Sequence, residues 1–316
     1  MGQPEDSGAP LTDHIQIDRI VKRLSSGAPT PELSTSLTLL ANAHFYKGEY
    51  ANADALNRKA LEVDKHLHGE RGESVADDLI NLGQIQTQWG HYAEAEPLFR
   101  QALDINKALY GAGSAEVADA ATYVAQSLEG QNKLQEAEDL LTQNIESLEH
   151  TFGRTHPRIA VALGVRGSIA KDLNRLDDAE NDFRREFEIF HSVYGDDHQH
   201  TAIALSNLAT VYLAKGQFVK AEASFRDALK RFEKTVAADN LNVGIARVKL
   251  GDALVGQKRF SEAEPELTSG REIVKKINPT APLMSTARSD LIRVYTALRQ
   301  PEKIAQVQQE LKESSH

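Results

Sequence analysis

The residues best suited to metal chemistry are two histidines in one short segment. His198 and His200 lie two positions apart, and Asp196 comes shortly before them. Imidazole and carboxylate groups at such spacing are ligands of zinc or nickel in proteins. His156, however, occupies the equivalent place in a similar segment 42 residues earlier, which indicates a structural role in a recurring loop. Because neither Cys nor an HExxH pattern accompanies the histidines, we predict no metal site.

Catalytic patterns are the next candidates, and the sequence contains none of the common ones. There is no GxSxG nucleophile motif, no P-loop and no glycine-rich dinucleotide fingerprint. Glu94, Glu136 and Glu262 recur at one position of a repeat, so they indicate charge on a helix surface rather than a paired acid and base. We therefore predict that the chain is not an enzyme and requires no cofactor.

Composition opposes several classes of partner. The formal charge is −10, from 46 acidic and 36 basic residues, which disfavours binding to nucleic-acid phosphates and to anionic membranes. There is no Cys to form a disulfide or a thiolate metal site. The first residues contain no apolar signal-peptide core, and no stretch approaches the ~18 apolar residues of a membrane span. These features predict a cytoplasmic protein that binds neither nucleic acid nor membrane.

The most informative feature is a repeat of 42 residues. Alanines follow one another at this spacing, and a row of mostly small residues stands twelve positions before them. The alanines are Ala53, Ala95, Ala137, Ala179, Ala221, Ala263 and Ala305. The second row is Ala41, Gly83, Ala125, Gly167, Ala209, Gly251 and, as its exception, Arg293. Small side chains at two fixed points predict two helices that cross closely in every repeat.

Apolar periodicity also indicates two helices per repeat. In the fifth repeat, Leu205, Leu208 and Tyr212 follow helical spacing, and a second helical pattern begins near Ala221. Gly216 between them suits a tight turn, because glycine tolerates the left-handed conformation. Since one helix pair cannot bury its apolar face alone, neighbouring pairs are expected to stack into a continuous core.

These rows resemble the tetratricopeptide repeat. The 42-residue spacing, the segment LSNLATVYLAKGQFVKAEASFRDAL and the loops LYGAGSAEVA and YGDDHQHTA are similar to the kinesin-light-chain subtype. The resemblance implies an all-α fold, a right-handed superhelical solenoid of about seven helix-turn-helix repeats. We expect a disordered segment at 1–10, a capping helix and linker at 11–33, and a repeat array at 34–316. Arg293 suggests that the last repeat is degenerate, and its polar final helix would cap the array.

The resemblance also implies a peptide-binding site. In this family the first helices of successive repeats line a concave face, where extended peptides bind. Carboxamides on that face could donate to and accept from a peptide backbone at once. The residues carried over to it are Asn42, Asn81, Gln84, Tyr123, Gln126, Ser168, Asn207, Thr210, Lys249 and Asp252. The alternative interpretation is a solvated polar surface without a ligand.

Two ligand preferences within the family fit this sequence poorly. The carboxylate clamp of chaperone-binding members needs basic residues where Thr38, Asp119 and Tyr123 stand. Light-chain grooves favour acidic peptides, which a scaffold of charge −10 would repel. We therefore predict a protein or peptide partner that is neutral or basic.

The predicted function is thus a scaffold that binds a peptide or protein segment in the concave groove. The alternative is a C-terminal regulatory or sensor region of a larger multidomain protein. Its basis is the segment LIRVYTALRQPEKIAQVQQEL, which resembles helical repeats that follow bacterial serine/threonine kinase domains. Trp89, just before a turn glycine, is either a local packing residue or an anchor for a partner.

Overall fold

The computed structural model describes residues 28–279 and 281–313, with side chains described as far as Glu310. Fourteen α-helices and no strand occur in these residues, and the helices form seven helix-turn-helix pairs, called repeats 1 to 7. In chain order they are α1 (Pro31–Tyr46), α2 (Tyr50–His68), α3 (Glu73–Trp89), α4 (Tyr92–Tyr110), α5 (Ala115–Gly130), α6 (Leu134–Phe152), α7 (Pro157–Asp172), α8 (Leu176–Tyr194), α9 (Gln199–Ala214), α10 (Phe218–Thr235), α11 (Leu241–Gly256), α12 (Phe260–Ile277), α13 (Leu283–Ala297) and α14 (Pro301–Glu313). The prediction of an all-α repeat solenoid is confirmed.

The start of the array differs from the predicted boundary. Pro31 is the first residue of α1, so residues 31–33 belong to repeat 1 rather than to a linker. The proline fits there because the first helical N–H needs no partner within the helix. The predicted segment at 1–10 and the capping helix expected within 11–27 lie outside the described residues.

Two structural units divide the helices, one ending at Arg154 and the other beginning at Thr155. The first contains repeats 1 to 3, and the second contains repeats 4 to 7. Within each unit the two helices of a repeat pack together, and each second helix packs on the first helix of the next repeat. Among the described helices, none combines the length and the apolar character needed to cross a membrane.

The repeat period extends to the residues that begin and end the helices. The side chains of Thr30, Ser114 and Asn240 each accept a backbone N–H in the first turn of the helix that follows. Between the two helices of every repeat stands a residue with positive φ, which glycine or asparagine adopts most easily. These turn residues are Gly48, Gly90, Asn132, Asn174, Gly216, Lys258 and Arg299.

The small-residue rows are packing positions, as the spacing predicts. A Cβ atom added at Gly83 would lie 2.4 Å from the ring of Phe99, and one at Gly251 would lie 2.5 Å from Leu267. Small residues on the first helix therefore make room for a large side chain of the second helix. The alanines of the other row are 0% exposed in repeats 1 to 6.

Repeat 7 departs from the 42-residue register by one position. Its turn residue, Arg299, follows Lys258 by 41 positions rather than 42. Buried residues of α13 follow the same offset, as Leu291 does with respect to Leu250. Ala305 is accordingly exposed, so its assignment to the packing row was wrong.

The same shift corrects the assignment of Arg293. In the observed register Arg293 is equivalent to Asp252, and the small-residue position of repeat 7 is held by Ile292. Arg293 donates to Asp290, one helical turn earlier, at 2.8 Å. It is therefore a surface residue with an ion pair and does not replace a packing glycine.

Polar contacts reinforce the stacking of neighbouring repeats. In the first unit, Asp54 accepts a hydrogen bond from Gln86 at 2.7 Å. Glu96 accepts one from Gln131 at 2.8 Å and one from Lys133 at 2.9 Å. Partial burial acts in the opposite direction, but these and neighbouring donors lower the pKa of Glu96 to about 2. The carboxylate thus stays charged and links repeat 2 to repeat 3.

Candidate functional site

The predicted binding residues of the first unit lie on α1, α3 and α5. Asn42 is exposed, whereas Asn81, Gln84, Tyr123 and Gln126 are partly buried. Helices α3 and α5 touch each other, so the last four residues lie on adjacent first helices. The four carboxamides make no side-chain hydrogen bond to the rest of the described chain. Their donors and acceptors therefore remain available to a ligand.

Tyr123 is held in place by an aromatic neighbour. Its ring stacks on that of Phe99 with a centroid distance of 5.3 Å and an interplanar angle of 20°. Phe99 is only 1% exposed and belongs to the core of repeat 2. The tyrosine is therefore a rigid and partly exposed side chain beside the carboxamides.

The predicted residues of the second unit are engaged more fully. Lys249 donates from Nζ to Thr210 Oγ1 at 2.9 Å, and Thr210 donates in turn to the Ser206 carbonyl at 2.9 Å. Burial lowers the pKa of Lys249 to about 8. Burial and the charge of Asp290 raise the pKa of Asp252 to about 6. Ser168 is partly buried, and its hydroxyl makes no hydrogen bond within the described chain.

Asn207 supports a buried carboxyl group. Its Nδ2 lies 3.4 Å and 3.3 Å from the two carboxyl oxygens of Glu186, which is 4% exposed. Burial raises the pKa of Glu186 to about 8. A Cβ at Gly164 would lie 2.7 Å from the Glu186 carboxyl, so the glycine leaves space for that group. Asn207 is thus occupied by a contact within the fold.

A second polar site, which the sequence analysis did not predict, lies between α1, α2 and α3. Ser34 Oγ donates to Asp64 Oδ2 at 2.6 Å, and the Asp64 carboxyl group interacts electrostatically with that of Asp78. Ser34, Asp64 and Asp78 are 5%, 7% and 3% exposed. With Asp77 beside them, these residues are called the acidic pocket.

The acidic pocket retains a proton at neutral pH. Burial raises the pKa of Asp78 from 3.8 to about 8, and the negative charge of Asp64 acts in the same direction. Burial and the charges of Glu73 and Asp64 also raise the pKa of Asp77. The negative charge of Asp64 thus favours the protonated form of Asp78 beside it.

An open cavity of about 370 Å³ adjoins these carboxyl groups. The side chains around it include hydroxyl, amide and imidazole groups and two apolar residues. Besides the acidic pocket itself, they include Pro31, Thr38, Leu39, His68, Ser74 and Asn81. Asn81 is one of the predicted binding residues, so the acidic pocket lies next to the predicted surface.

Comparison with known proteins identifies the repeat. The tetratricopeptide-repeat models match residues 32–108, 117–158, 162–234 and 201–276. The chain belongs to the tetratricopeptide-repeat family. No curated protein sequence matches it significantly.

Solved tetratricopeptide-repeat structures share the fold. BtubC (BKLC) from P. vanneervenii superposes with a TM-score of 0.62 at 16% identity, over 74% of this chain and 94% of that one. A Podosopora anserina protein with kinesin-light-chain-type, nearly identical repeats gives 0.52 at 19% identity, over 64% and 96%. The quorum sensor NprR from B. thuringiensis gives 0.70 at 12% identity, over 96% and 83%. The predicted kinesin-light-chain-like type is confirmed.

The acidic pocket stands out when the tetratricopeptide repeats are aligned with one another. In repeats 3 to 7 the position of Asp78 is alanine, and the position of Ser34 is alanine or glycine in repeats 2 to 6. The position of Asp64 is Leu148, Phe190 or Phe232 in repeats 3 to 5. Polar residues in rows that are apolar from repeat 3 to repeat 6 were the sequence signal for this site, which rows of shared residues do not reveal.

Of the two histidines first considered as metal ligands, His198 is a helix cap, and so is its equivalent His156. His156 Nδ1 accepts the backbone N–H of Arg158 at 3.3 Å, and His198 Nδ1 accepts that of His200 at 3.2 Å. This explains why histidine recurs at the same place in repeats 4 and 5. The described residues contain no cluster of three or more His, Cys, Asp or Glu that could hold a metal ion. Trp89 is 41% exposed and stacks on His91 at 4.6 Å.

Proposed function

We propose that this tetratricopeptide-repeat protein is a scaffold that binds a polypeptide segment along the first helices of its repeats. One observation carries the proposal: Asn81, Gln84 and Gln126 are partly buried, lie on adjacent helices and leave their carboxamides unpaired within the described chain. Unpaired amides at spaced positions can bond a peptide backbone whatever its side chains are. The same surface would then accept an extended segment.

A neutral or basic partner fits the charge of the scaffold. The net charge of −10 attracts cations and repels an acidic peptide during encounter. We also propose that the protein is cytoplasmic, that it binds neither nucleic acid nor membrane, and that it has no catalytic activity of its own.

Tyr123 is the expected anchor of the bound segment. A rigid aromatic residue in a partly buried position is typical of binding hot spots, where truncation costs about 2 kcal/mol or more. We expect Tyr123→Ala to weaken binding about 30-fold, and each of Gln84→Ala and Gln126→Ala to cost about 1 kcal/mol. Tyr46→Ala is the matched control, because Tyr46 is 86% exposed and is not one of the predicted binding residues.

The test begins with a displayed library of random dodecapeptides selected against the whole chain. The best peptide is then titrated by calorimetry against wild type, Tyr123→Ala, the Gln84/Gln126 double substitution and Tyr46→Ala. Tyr123→Phe separates the loss of the ring from loss of the hydroxyl while retaining the stack on Phe99. Failure to select any peptide, or equal affinity for all folded variants, would overturn the proposal.

The alternative proposal is a sensor or regulatory region within a larger protein. It is supported by the likeness of residues 291–311 to repeats that follow bacterial serine/threonine kinase domains. The fold shared with the quorum sensor NprR is compatible with this function. Reading the complete open reading frame tests it, since a kinase or effector domain encoded in the same frame is required.

A further inference from the structure

We propose that the acidic pocket of repeats 1 and 2 binds the guanidinium group of an arginine side chain carried by the polypeptide partner. The inference rests on the proposed function, because it specifies one residue of the segment that the scaffold binds. Four features of the pocket lead to it: an unpaired oxygen, the absence of a counter-cation, the open cavity and the residues of the equivalent rows.

The first feature is a buried oxygen without a partner. Asp78 Oδ2 has no hydrogen-bond partner among the described residues, although Asp78 is 3% exposed and lines the cavity. A buried carboxyl oxygen normally accepts at least one hydrogen bond. Leaving it unpaired in the free protein is unfavourable, and a donor arriving from the cavity would remove that penalty.

The second feature is the absence of a cation inside the pocket. No lysine or arginine is among the described residues that line the cavity. His68 lines the cavity, and its Nε2 lies 3.9 Å from Asp64 Oδ1. Elsewhere in the chain, the partly buried Glu96 and the buried Glu222 are paired with Lys133 and Arg259. The buried Glu186 has no cation but is contacted by the Asn207 amide, whereas Asp78 Oδ2 has neither a cation nor an amide donor among the described residues.

The third feature is the shape and lining of the cavity. The cavity is open to solvent, its lining includes Thr38 and Asn81, and its volume is about 370 Å³, within the ~300–1,000 Å³ typical of ligand pockets. Leu39 is 52% exposed at its edge and offers apolar surface to the aliphatic stem of a long basic residue. Arginine fits better than lysine, because its planar fork can bond carboxyl groups on two different helices at once.

The fourth feature is the choice of residues. In the later repeats the same rows hold small and apolar side chains that pack without a polar group, as Ala202, Phe232 and Ala246 do. The fold therefore does not require a hydroxyl and two carboxyl groups here. A ligand gives these residues a function that packing does not.

Proton release should accompany binding. The titratable groups that face Asp78 are Asp64 and His68 on α2 and Asp77 and Glu73 on α3, while α1 lines the cavity with hydroxyl and apolar groups. Tyr110 of α4 bonds to Glu73 rather than to the pocket. A guanidinium group favours the ionised form of Asp78, so binding should strengthen as the pH rises from 6 to 8 and level off above that.

The probes are two capped tripeptides, acetyl-Gly-Arg-Gly-amide and acetyl-Gly-citrulline-Gly-amide, which differ in charge but hardly in shape. Their binding to the whole chain is followed by NMR chemical shifts and, for proton release, by calorimetry in two buffers of different ionisation enthalpy. The variants are Asp78→Ala and Ser34→Ala. Each introduces the alanine that stands at the equivalent position in repeats 3 to 5. Glu62→Gln is the matched control, because it removes one negative charge from an exposed position of α2.

The arginine probe should shift NMR signals of residues in α1 to α3. Asp78→Ala should weaken its binding about tenfold or more, whereas Glu62→Gln should change its affinity little. The citrulline probe should bind at least tenfold more weakly than the arginine probe. Equal binding of the two probes, or equal effects of Asp78→Ala and Glu62→Gln, would overturn the assignment.

The peptide selection described above separates the two proposals. Selected peptides that depend on Tyr123 but contain no basic residue would leave the scaffold intact and refute the arginine pocket. If the arginine tripeptide binds the pocket but no dodecapeptide can be selected, the scaffold proposal is refuted and the arginine pocket is not.

Discussion

Two equivalent places in the molecule, four repeat periods apart, differ completely in chemistry. The acidic pocket brings Ser34, Asp64 and Asp78 together between repeats 1 and 2, with a raised pKa at Asp78 and an unpaired carboxyl oxygen. The corresponding place between repeats 5 and 6 is apolar, and each of its residues is 0% exposed. These residues are Ala202, Phe232 and Ala246.

The difference separates what the fold needs from what one repeat adds to it. Apolar side chains at these positions stack two repeats with no polar group to satisfy. Carboxyl groups at the same positions must be desolvated, which costs free energy unless a partner compensates. The acidic pocket therefore reduces the stability of the free protein, and we attribute its presence to binding.

The largest effect is expected when a carboxyl group is placed in the apolar interface. Ala246→Asp places in repeat 6 the aspartate that repeat 2 has at the equivalent position, Asp78, but without the neighbouring serine and second aspartate. An uncompensated buried charge should lower the free energy of unfolding by about 3–5 kcal/mol. Urea denaturation measures the loss, and Ala223→Asp, at an exposed position of α10, adds the same charge as a control. Similar losses for both variants would mean that burial is not the cause.

The next effect concerns the packing alanines. Ala179 is 0% exposed in repeat 4. Ala305, which the 42-residue spacing predicts to be its equivalent in repeat 7, is exposed. Ala179→Leu should overpack the helix crossing and cost about 1–3 kcal/mol. Ala305→Leu should change the melting temperature by little. Equal shifts for the two variants would contradict the one-residue offset of repeat 7.

The smallest effect is a gain of stability in the acidic pocket. Asp78→Ala restores the residue of its row and removes the buried carboxyl group. The folded protein raises the pKa of Asp78 from 3.8 to about 8, so this group favours folding most below pH 4. That contribution is lost as the pH rises through 8. The variant should therefore gain about 1–2 kcal/mol over wild type at pH 8, and less at pH 5.

Thermal unfolding of both proteins at pH 5 and pH 8 measures this gain. Asp252→Ala is a useful control, because that carboxyl group has a pKa of about 6 and lies in the second unit. A variant that is less stable than wild type at pH 8 would show that Asp78 already has a compensating partner.

Most of the fold could be predicted from the sequence because the rows are strict. Fixed spacing of small residues, helical periodicity and turn glycines all indicate the same helix pairs, and six repeats follow that spacing. The offset in repeat 7 was missed because Ala305 falls on the expected number by coincidence. The positions of the left-handed residue Arg299 and of buried residues such as Leu291 reveal the missing residue.

The sites could be predicted less well, for a physical reason. Sequence spacing places Asn81, Gln84 and Gln126 on adjacent first helices, but it does not show that Asn207 and Lys249 are engaged within the fold. The acidic pocket combines residues from three helices, and their rows are apolar only in the later repeats. The interaction between Asp64 and Asp78 depends on their separation across two helices, which one-dimensional spacing does not give.

The pKa of Asp78 tests the central claim most directly. Carbon-detected NMR of the side-chain carboxyl groups follows each aspartate from pH 3 to pH 9, and the Asp78→Asn variant assigns the signal. We predict that the signal absent from Asp78→Asn titrates near pH 8 in the free protein and several tenths of a unit or more lower when the arginine tripeptide is bound. A signal that titrates near 4 in both states would contradict the claim that repeats 1 and 2 hold an uncompensated carboxyl pair.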